Sequence, residues 1–226
     1  MVTGGSRGIG LEIARLFRQE GADILAVSRE QANLNAAAAQ VPGLHTLAAD
    51  VSDASGVASV AAWVKERWGG FDILINNAGI WAGPGADVLS GHDEDFTRVL
   101  AVNVLGPYRC TRALLPWLEH STSPRIINVG SRSGLFTTNL SSAYGVSKAA
   151  LHALTIATAN ELRGRVAVNA LSPGWVKTDM APDGPGDPRW SAQCALHLAT
   201  RPASVTGLLF HDKRVLSWSS RTDPNS

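Results

Sequence analysis

Cysteine is scarce in this chain, with two among 226 residues. Cys110 and Cys194 stand alone, with neither metal-ligand spacing nor a disulfide framework around them, which excludes a stapled secreted domain and a zinc ribbon. Charge of one sign is lacking as well. Twenty Lys and Arg against nineteen Asp and Glu leave a net charge of +1, with no basic run. That excludes nucleic acid and anionic membrane as main partners. No apolar run approaches the roughly 20 residues that span a bilayer. No apolar signal region follows a basic start. The six histidines (His45, His92, His120, His152, His197, His211) are scattered, so no metal site is expected. His152 is assigned to the surface or a subunit interface. These absences fit a reducing compartment, and a cytoplasmic location is expected.

What remains is an ordinary globular composition, 45% hydrophobic and 17% charged. A chain of this length buries roughly 70% of its unfolded surface and needs no staples. Strand and helix patterns alternate along it. Ile9, Ile13, Leu16 and Phe17 mark one face of a first helix, and Gly21 stops it. Strands are expected at 23–28, 44–49, 71–77, 125–129, 166–171 and 207–210. Helices are expected at 30–40, 55–68, 93–118, 142–162 and 191–200, with a Pro/Gly-rich loop at 182–188. The run Phe71-Asp72-Ile73-Leu74-Ile75-Asn76-Asn77 reads as a strand buried on both faces. This alternation predicts an α/β, doubly wound parallel sheet of the Rossmann type, one domain over 1–226 with a polar tail from about 219. One element is short: only Met1-Val2-Thr3 precede the first glycines, where a strand of about five residues is usual. The strand is either short by nature or cut short.

The candidate site residues fall after the strands, where such sheets bind ligands. Thr3-Gly4-Gly5-Ser6-Arg7-Gly8-Ile9-Gly10 lets the backbone turn tightly and approach a phosphate at the helix N-terminus. An NAD site places a carboxylate about 20 residues further on. Here the second strand ends Val27-Ser28-Arg29, with Glu30 one step late. Arg29 is suited to fork onto a 2′-phosphate, with Arg7 assisting, so NADP(H) is preferred over NAD(H). Tyr144 and Lys148 lie four apart on one helix face, and Ser131 lies thirteen residues before the tyrosine. A free tyrosine has a pKa of about 10, and a neighbouring cation lowers it by roughly 1–3 units. Lys148 is placed to do that, and Ser131 to hold a substrate oxygen. Ser133 and Ser147 are bystanders, since no His-Asp pattern accompanies them. Leu135, Phe136, Trp81, Trp175 and Met180 sketch a pocket for an apolar or aromatic carbonyl compound or alcohol.

These pieces together resemble the short-chain dehydrogenase/reductase family from Thr3 to about Phe210. They are TGGSRGIG, Asp50-Val51, Asn76-Asn77-Ala78-Gly79, Asn103 in VNVLGP, Ser131, Tyr144-x-x-x-Lys148, and Ser172-Pro173-Gly174 leading to Thr178. The resemblance implies hydride transfer between NADP(H) and a ketone, aldehyde or secondary alcohol. It implies that Asp50 and Val51 hold the adenine and that Asn77, Ala78 and Gly79 support the strand beside the cofactor. It implies that Pro173, Gly174, Val176 and Thr178 line the nicotinamide, and that Lys148 binds its ribose. Tyr144 would be the general acid or base, and Asn103 would hold a water relaying protons to Lys148. A homodimer or homotetramer is implied, through the helices at 93–118 and 142–162; Leu151, Leu154 and Ile156 exceed one buried stripe. Two rivals stay open: a non-catalytic NADP(H)-binding sensor or scaffold, and an NAD-dependent alcohol dehydrogenase. The family often ends in a glycine-rich segment, but here the last expected strand runs on into His211-Asp212-Lys213-Arg214.

Overall fold

The computed structural model describes residues 1–83, 87–135 and 142–218. Phe136 and the tail from 219 lie outside them. Eight strands form one sheet: β1 Val2–Thr3, β2 Leu25–Ser28, β3 His45–Ala48, β4 Ile73–Asn76, β5 Arg125–Val129, β6 Ala167–Leu171, β7 Leu209–His211 and β8 Arg214–Leu216. Their order is β3-β2-β1-β4-β5-β6-β7-β8, parallel except for the last pair. The expected Rossmann architecture is therefore present.

Successive strand residues face opposite sides, and the two cores divide accordingly. Val2, Ala26, Ile75, Ile127 and Leu171 face one layer. That layer holds α1 (Gly8–Gln19), α2 (Gln31–Gln40) and α7 (Pro188–Ala199). Leu25, Val27, Leu74, Ile126 and Val168 face the other. There lie α3 (Ala54–Arg67), α5 (Gly106–Leu118) and α6 (Ala143–Glu161). Gly21 ends α1 as expected, at φ 86 and donating to the Arg18 carbonyl.

Several elements differ from expectation. The single helix expected over 93–118 is α4 (Asp93–Leu100), a π-turn at Ala101–Leu105, and α5. An extra residue in the hydrogen-bond ladder leaves no mark in a 3.6-residue pattern, and Pro107 sits in the first turn of α5, where it breaks no bond. Helix α7 begins at Pro188, earlier than expected, because Asp187 caps it by accepting from the Arg189 amide at 2.8 Å. Strand β8 had no expected counterpart. It folds back on β7 through Asp212 (φ 46) and Lys213 (φ 64). Leu151 is buried in its own protomer and is not part of an outer face. At the end of the π-turn Leu105 is exposed, and on α5 so is Tyr108.

Strand β1 is as short as the sequence implies. It pairs with β2 at Val2↔Ala26 and Thr3↔Val27, and with β4 at Val2↔Ile75 alone. A polar network reinforces the other half of the sheet. Asn76 donates to Asn128 at 2.9 Å, and Asn128 donates to Thr155 on α6 at 2.9 Å. All three are buried. A satisfied buried network fixes α6 in rotation and height against β4 and β5.

Candidate active site

A cleft of about 230 Å³ opens at the carboxyl end of the sheet. Its outer wall is the glycine loop. Gly4 has φ 63 and Gly8 φ 53, and a Cβ on Gly10 would meet the Gly4 carbonyl oxygen at 2.2 Å. Only glycine fits these positions. Thr3 and Asn77 fasten the loop. The Thr3 hydroxyl accepts from the amides of Asn77 and Ala78, both at 3.0 Å. The Asn77 amide donates to the carbonyls of Thr3 and Gly4. Helix α1 then starts with no side-chain cap and no acid in its first turn. Its open amides and positive dipole end face the cleft, a setting that fits a pyrophosphate. The residues present therefore fit a dinucleotide.

At the end of the cleft beside β2 and β3, Val27, Ser28, Arg29, Ala49, Asp50 and Val51 line it. Asp50 spends one oxygen on Ser52, accepting from its amide at 2.9 Å and its hydroxyl at 2.7 Å. Its other oxygen stands 3.9 Å from Arg29. No acid sits at the tip of β2, and the Ser28 hydroxyl meets that of Ser6 at 3.0 Å. Arg7 lines the same cleft and pairs there with Asp179 at 2.7 Å. Asp179 was missed by sequence reasoning; only its place after Thr178 pointed to it.

At the inner end, Tyr144 and Lys148 line the cleft together. The Lys148 ammonium lies 5.6 Å from the Tyr144 ring centre and donates to the Val129 carbonyl at 2.8 Å. Burial lowers its pKa from the ordinary lysine value to about 8. Burial raises the Tyr144 pKa, and a hydrogen bond with the Ser131 side chain pulls the other way. A tyrosine acidified by lysine was expected; here desolvation is the larger effect and raises the Tyr144 pKa. Ser131 follows β5, and its hydroxyl accepts from the Ser133 amide at 3.1 Å, shaping a short 3-10 turn at Arg132–Gly134.

Asn103 projects from the π-turn, fully buried, beside Lys148. Its amide donates to Ile80 and to the Ser147 hydroxyl, each at 2.9 Å, and its oxygen accepts from the Ile80 amide at 2.8 Å. Ser147 in turn donates to the Tyr144 carbonyl at 2.7 Å. Asn103 therefore ties the Gly79–Ile80 loop to α6.

Of the remaining expected residues, Ser6, Ile9, Gly79, Pro173, Thr178 and Met180 line the cleft. Val176 is buried behind it, bridged to Gly186. Gly174 (φ 78) backs onto His211. Trp81 and Trp175 are exposed and do not line the cleft. Leu135 turns away from it, into a cluster with Ala170, Leu209 and Trp218. Of the residues expected around the substrate, Met180 lines this cleft among the described residues. His152, expected at a surface, is buried.

A cleft at the carboxyl edge of a doubly wound parallel sheet, walled by a glycine loop, defines a Rossmann-type nucleotide-binding class. Within it, the chain belongs to the short-chain dehydrogenase family, whose model matches residues 1–186. It is 38% identical to a galactitol 2-dehydrogenase (L-tagatose-forming) of Cereibacter sphaeroides, over 92% of this chain and 90% of that protein. It is 31% identical to a 3-oxoacyl-acyl-carrier-protein reductase of Thermotoga maritima, over 92% of each. The solved RhlG/NADP active-site complex of Pseudomonas aeruginosa superposes with a TM-score of 0.85 at 33% identity, covering 93% of this chain and 92% of that one.

Proposed function

We propose that this protein is an NADP(H)-dependent carbonyl reductase acting on a small apolar or aromatic ketone or aldehyde, reversible toward the secondary alcohol. The observation that carries this reading is the pairing of Tyr144 with the Lys148 ammonium, 5.6 Å from its ring centre, in the same cleft as the uncapped start of α1. Bound NADPH would supply hydride to the carbonyl carbon. Tyr144 then gives its proton to the carbonyl oxygen, and the Ser131 hydroxyl donates to that oxygen and orients it. A raised Tyr144 pKa keeps the phenol protonated near neutrality, which is the form that reduction needs. Lys148, charged below about pH 8, stabilises the phenolate left behind and is placed to meet the nicotinamide ribose. Asn103, buried beside Lys148, is assigned the water of a proton relay to Lys148. Arg29 meets the 2′-phosphate, and the absence of an acid on β2 supports that choice. Residues 1–226 are read as one domain, and the exposed Leu105 of the π-turn and Tyr108 of α5 support a homo-oligomer.

Differential scanning fluorimetry with NADPH, NADP, NADH and NAD tests the cofactor reading. A ligand at a hundredfold excess over Kd adds roughly 2.7 kcal/mol of stability. The phosphorylated pair is expected to shift Tm, and Arg29→Ala to lose that shift while leaving NADH unchanged. Equal shifts from all four would refute the phosphate reading. Tyr144→Phe is expected to lower turnover by about 10²–10⁴-fold with cofactor binding intact. A fully active variant would overturn the mechanism. A second reading, oxidation of a polyol, is favoured by the 38% identity to the galactitol enzyme. Turnover of polyols but not of carbonyl compounds would select it.

A further inference from the structure

His152 lies one turn beyond Lys148 on α6 and is only 4% exposed. Its Nε2 is 3.4 Å from the backbone nitrogen of Ser131. A backbone amide can only donate, so Nε2 is the acceptor. Strand β5 has ended at Val129, and the Gly130 amide already donates to the Leu171 carbonyl at 2.7 Å. Among the described residues, His152 is the one acceptor facing the Ser131 amide. The far end of the turn closes on itself, with the Gly134 amide donating to the Ser131 carbonyl at 3.1 Å. The other ring nitrogen, Nδ1, has no hydrogen-bond partner among the described residues. The imidazole therefore meets the turn at its start, at the amide of the residue that carries the hydroxyl.

The ring has little freedom to leave. A Cβ on Gly130 would lie 2.5 Å from Nε2, so the backbone there is packed against the imidazole. On its other side the ring meets Trp218 with centroids 5.1 Å apart. Trp218 is itself held, donating from its indole to the Gly207 carbonyl at 3.0 Å and packing with Leu135. Burial and the Lys148 charge lower the His152 pKa to about 4, so the acceptor nitrogen stays unprotonated at neutral pH.

We propose that His152 is a positioning residue for Ser131: its Nε2 accepts from the Ser131 amide and holds the 131–134 turn so that the Ser131 hydroxyl faces Tyr144. The inference rests on the reading of Ser131 and Tyr144 given above. It assigns a role to the unusual C-terminal segment, because Trp218 is the wall that keeps the imidazole against the turn.

The test compares His152→Leu, which removes the acceptor, with His152→Gln, whose amide oxygen reaches the Nε2 position. Displacing a reacting group by an ångström costs about 10²-fold, so His152→Leu is expected to lose about 10–100-fold in kcat, with NADPH affinity unchanged. His152→Gln is expected to recover most of that loss. Amide hydrogen exchange over 130–135 gives a readout that needs no substrate. Protection of the Ser131 amide is expected in wild type and His152→Gln, and its loss in His152→Leu. Unchanged kcat or unchanged Ser131 protection in His152→Leu would overturn the proposal. So would a His152→Gln variant as impaired as His152→Leu, since volume alone would then explain both. If His152→Leu fails to fold, wild-type exchange decides: an unprotected Ser131 amide refutes the contact. Tyr144→Phe is run alongside. Full activity there would sink the underlying mechanism, whereas an inactive Tyr144→Phe with an unimpaired His152→Leu would sink only the role of His152.

Discussion

Gly134→Ala probes how closely the Ser131 turn is pressed against α6. The added Cβ would lie 2.5 Å from the Lys148 carbonyl carbon, 2.7 Å from the Ala149 nitrogen and 2.8 Å from the Lys148 oxygen. All three are backbone atoms of a helix that the Asn128–Thr155 contact fixes in place. No rotamer change relieves them. Ordinary contact starts at 3.4 Å, so the turn or the helix must shift by about 0.9 Å. Overpacking of this kind costs about 1–3 kcal/mol. In a chain of this size each kcal/mol lowers Tm by roughly 2–4 °C. The shift also carries the Ser131 hydroxyl off Tyr144, for an expected loss of about 10²-fold in kcat. The glycine loop lies at the other end of the cleft, so NADPH affinity is expected to hold. Urea unfolding, steady-state kinetics and nucleotide titration of one preparation give all three numbers. Wild-type kcat with wild-type stability would refute the claim that this close approach sets the position of Ser131.

Two further perturbations separate stability from chemistry. Lys213→Gly relieves a left-handed residue worth roughly 1–2 kcal/mol, offset by roughly 0.5–1 kcal/mol of extra freedom in the unfolded chain. The net gain of roughly 0–1.5 kcal/mol gives an expected Tm rise of up to about 6 °C; a fall would show that the β7–β8 turn is unstrained. Lys148→Met removes a buried ammonium whose pKa falls from 10.5 to about 8 on folding. Below pH 8 the folded state bears the whole of that shift, about 3 kcal/mol at 1.36 kcal/mol per unit. The Val129 carbonyl left without its donor returns about 1–3 kcal/mol of it. Lys148→Met is therefore expected to be inactive yet at least as stable as wild type at pH 7. Between pH 8 and 10.5 folded Lys148 sheds its proton while the unfolded lysine keeps it, so wild type gains on the variant as pH rises. A constant gap between the two from pH 7 to 10 would refute the assignment.

Much of this was legible in the sequence, and the failures have specific causes. The glycine loop, the alternating elements and the Tyr144–Lys148 pair are written in local spacing. His152 was legible too and was misread: Lys148, Leu151, Thr155 and Ala159 form a buried stripe, and a residue four beyond Lys148 lies on it. Asp187-Pro188 is a helix start by its residue types and was read as a loop. The π-turn left no trace, because its extra residue lies in an apolar stretch that fits either periodicity. Strand β8 was missed because Asp212-Lys213 lacks the glycine that marks such a turn. The Arg7–Asp179 pair spans 172 positions, and nothing local records it.

The two-residue β1 divides the sheet mechanically. On one side stand β2 and β3, on the other β4 to β8, and a single register pair joins β1 to β4. The central seam of the molecule is thus a short line of hydrogen bonding, carried by Met1 with Ile73 and Ile75 and reinforced by Thr3 and Asn77. The cleft runs across that seam, with Arg29 and Asp50 on one bank and Tyr144 and Lys148 on the other. A dinucleotide lying along it would act as a suture, joining two halves that the backbone alone joins loosely. Ligand-free protein would then open as two cooperative blocks, and the loaded protein as one.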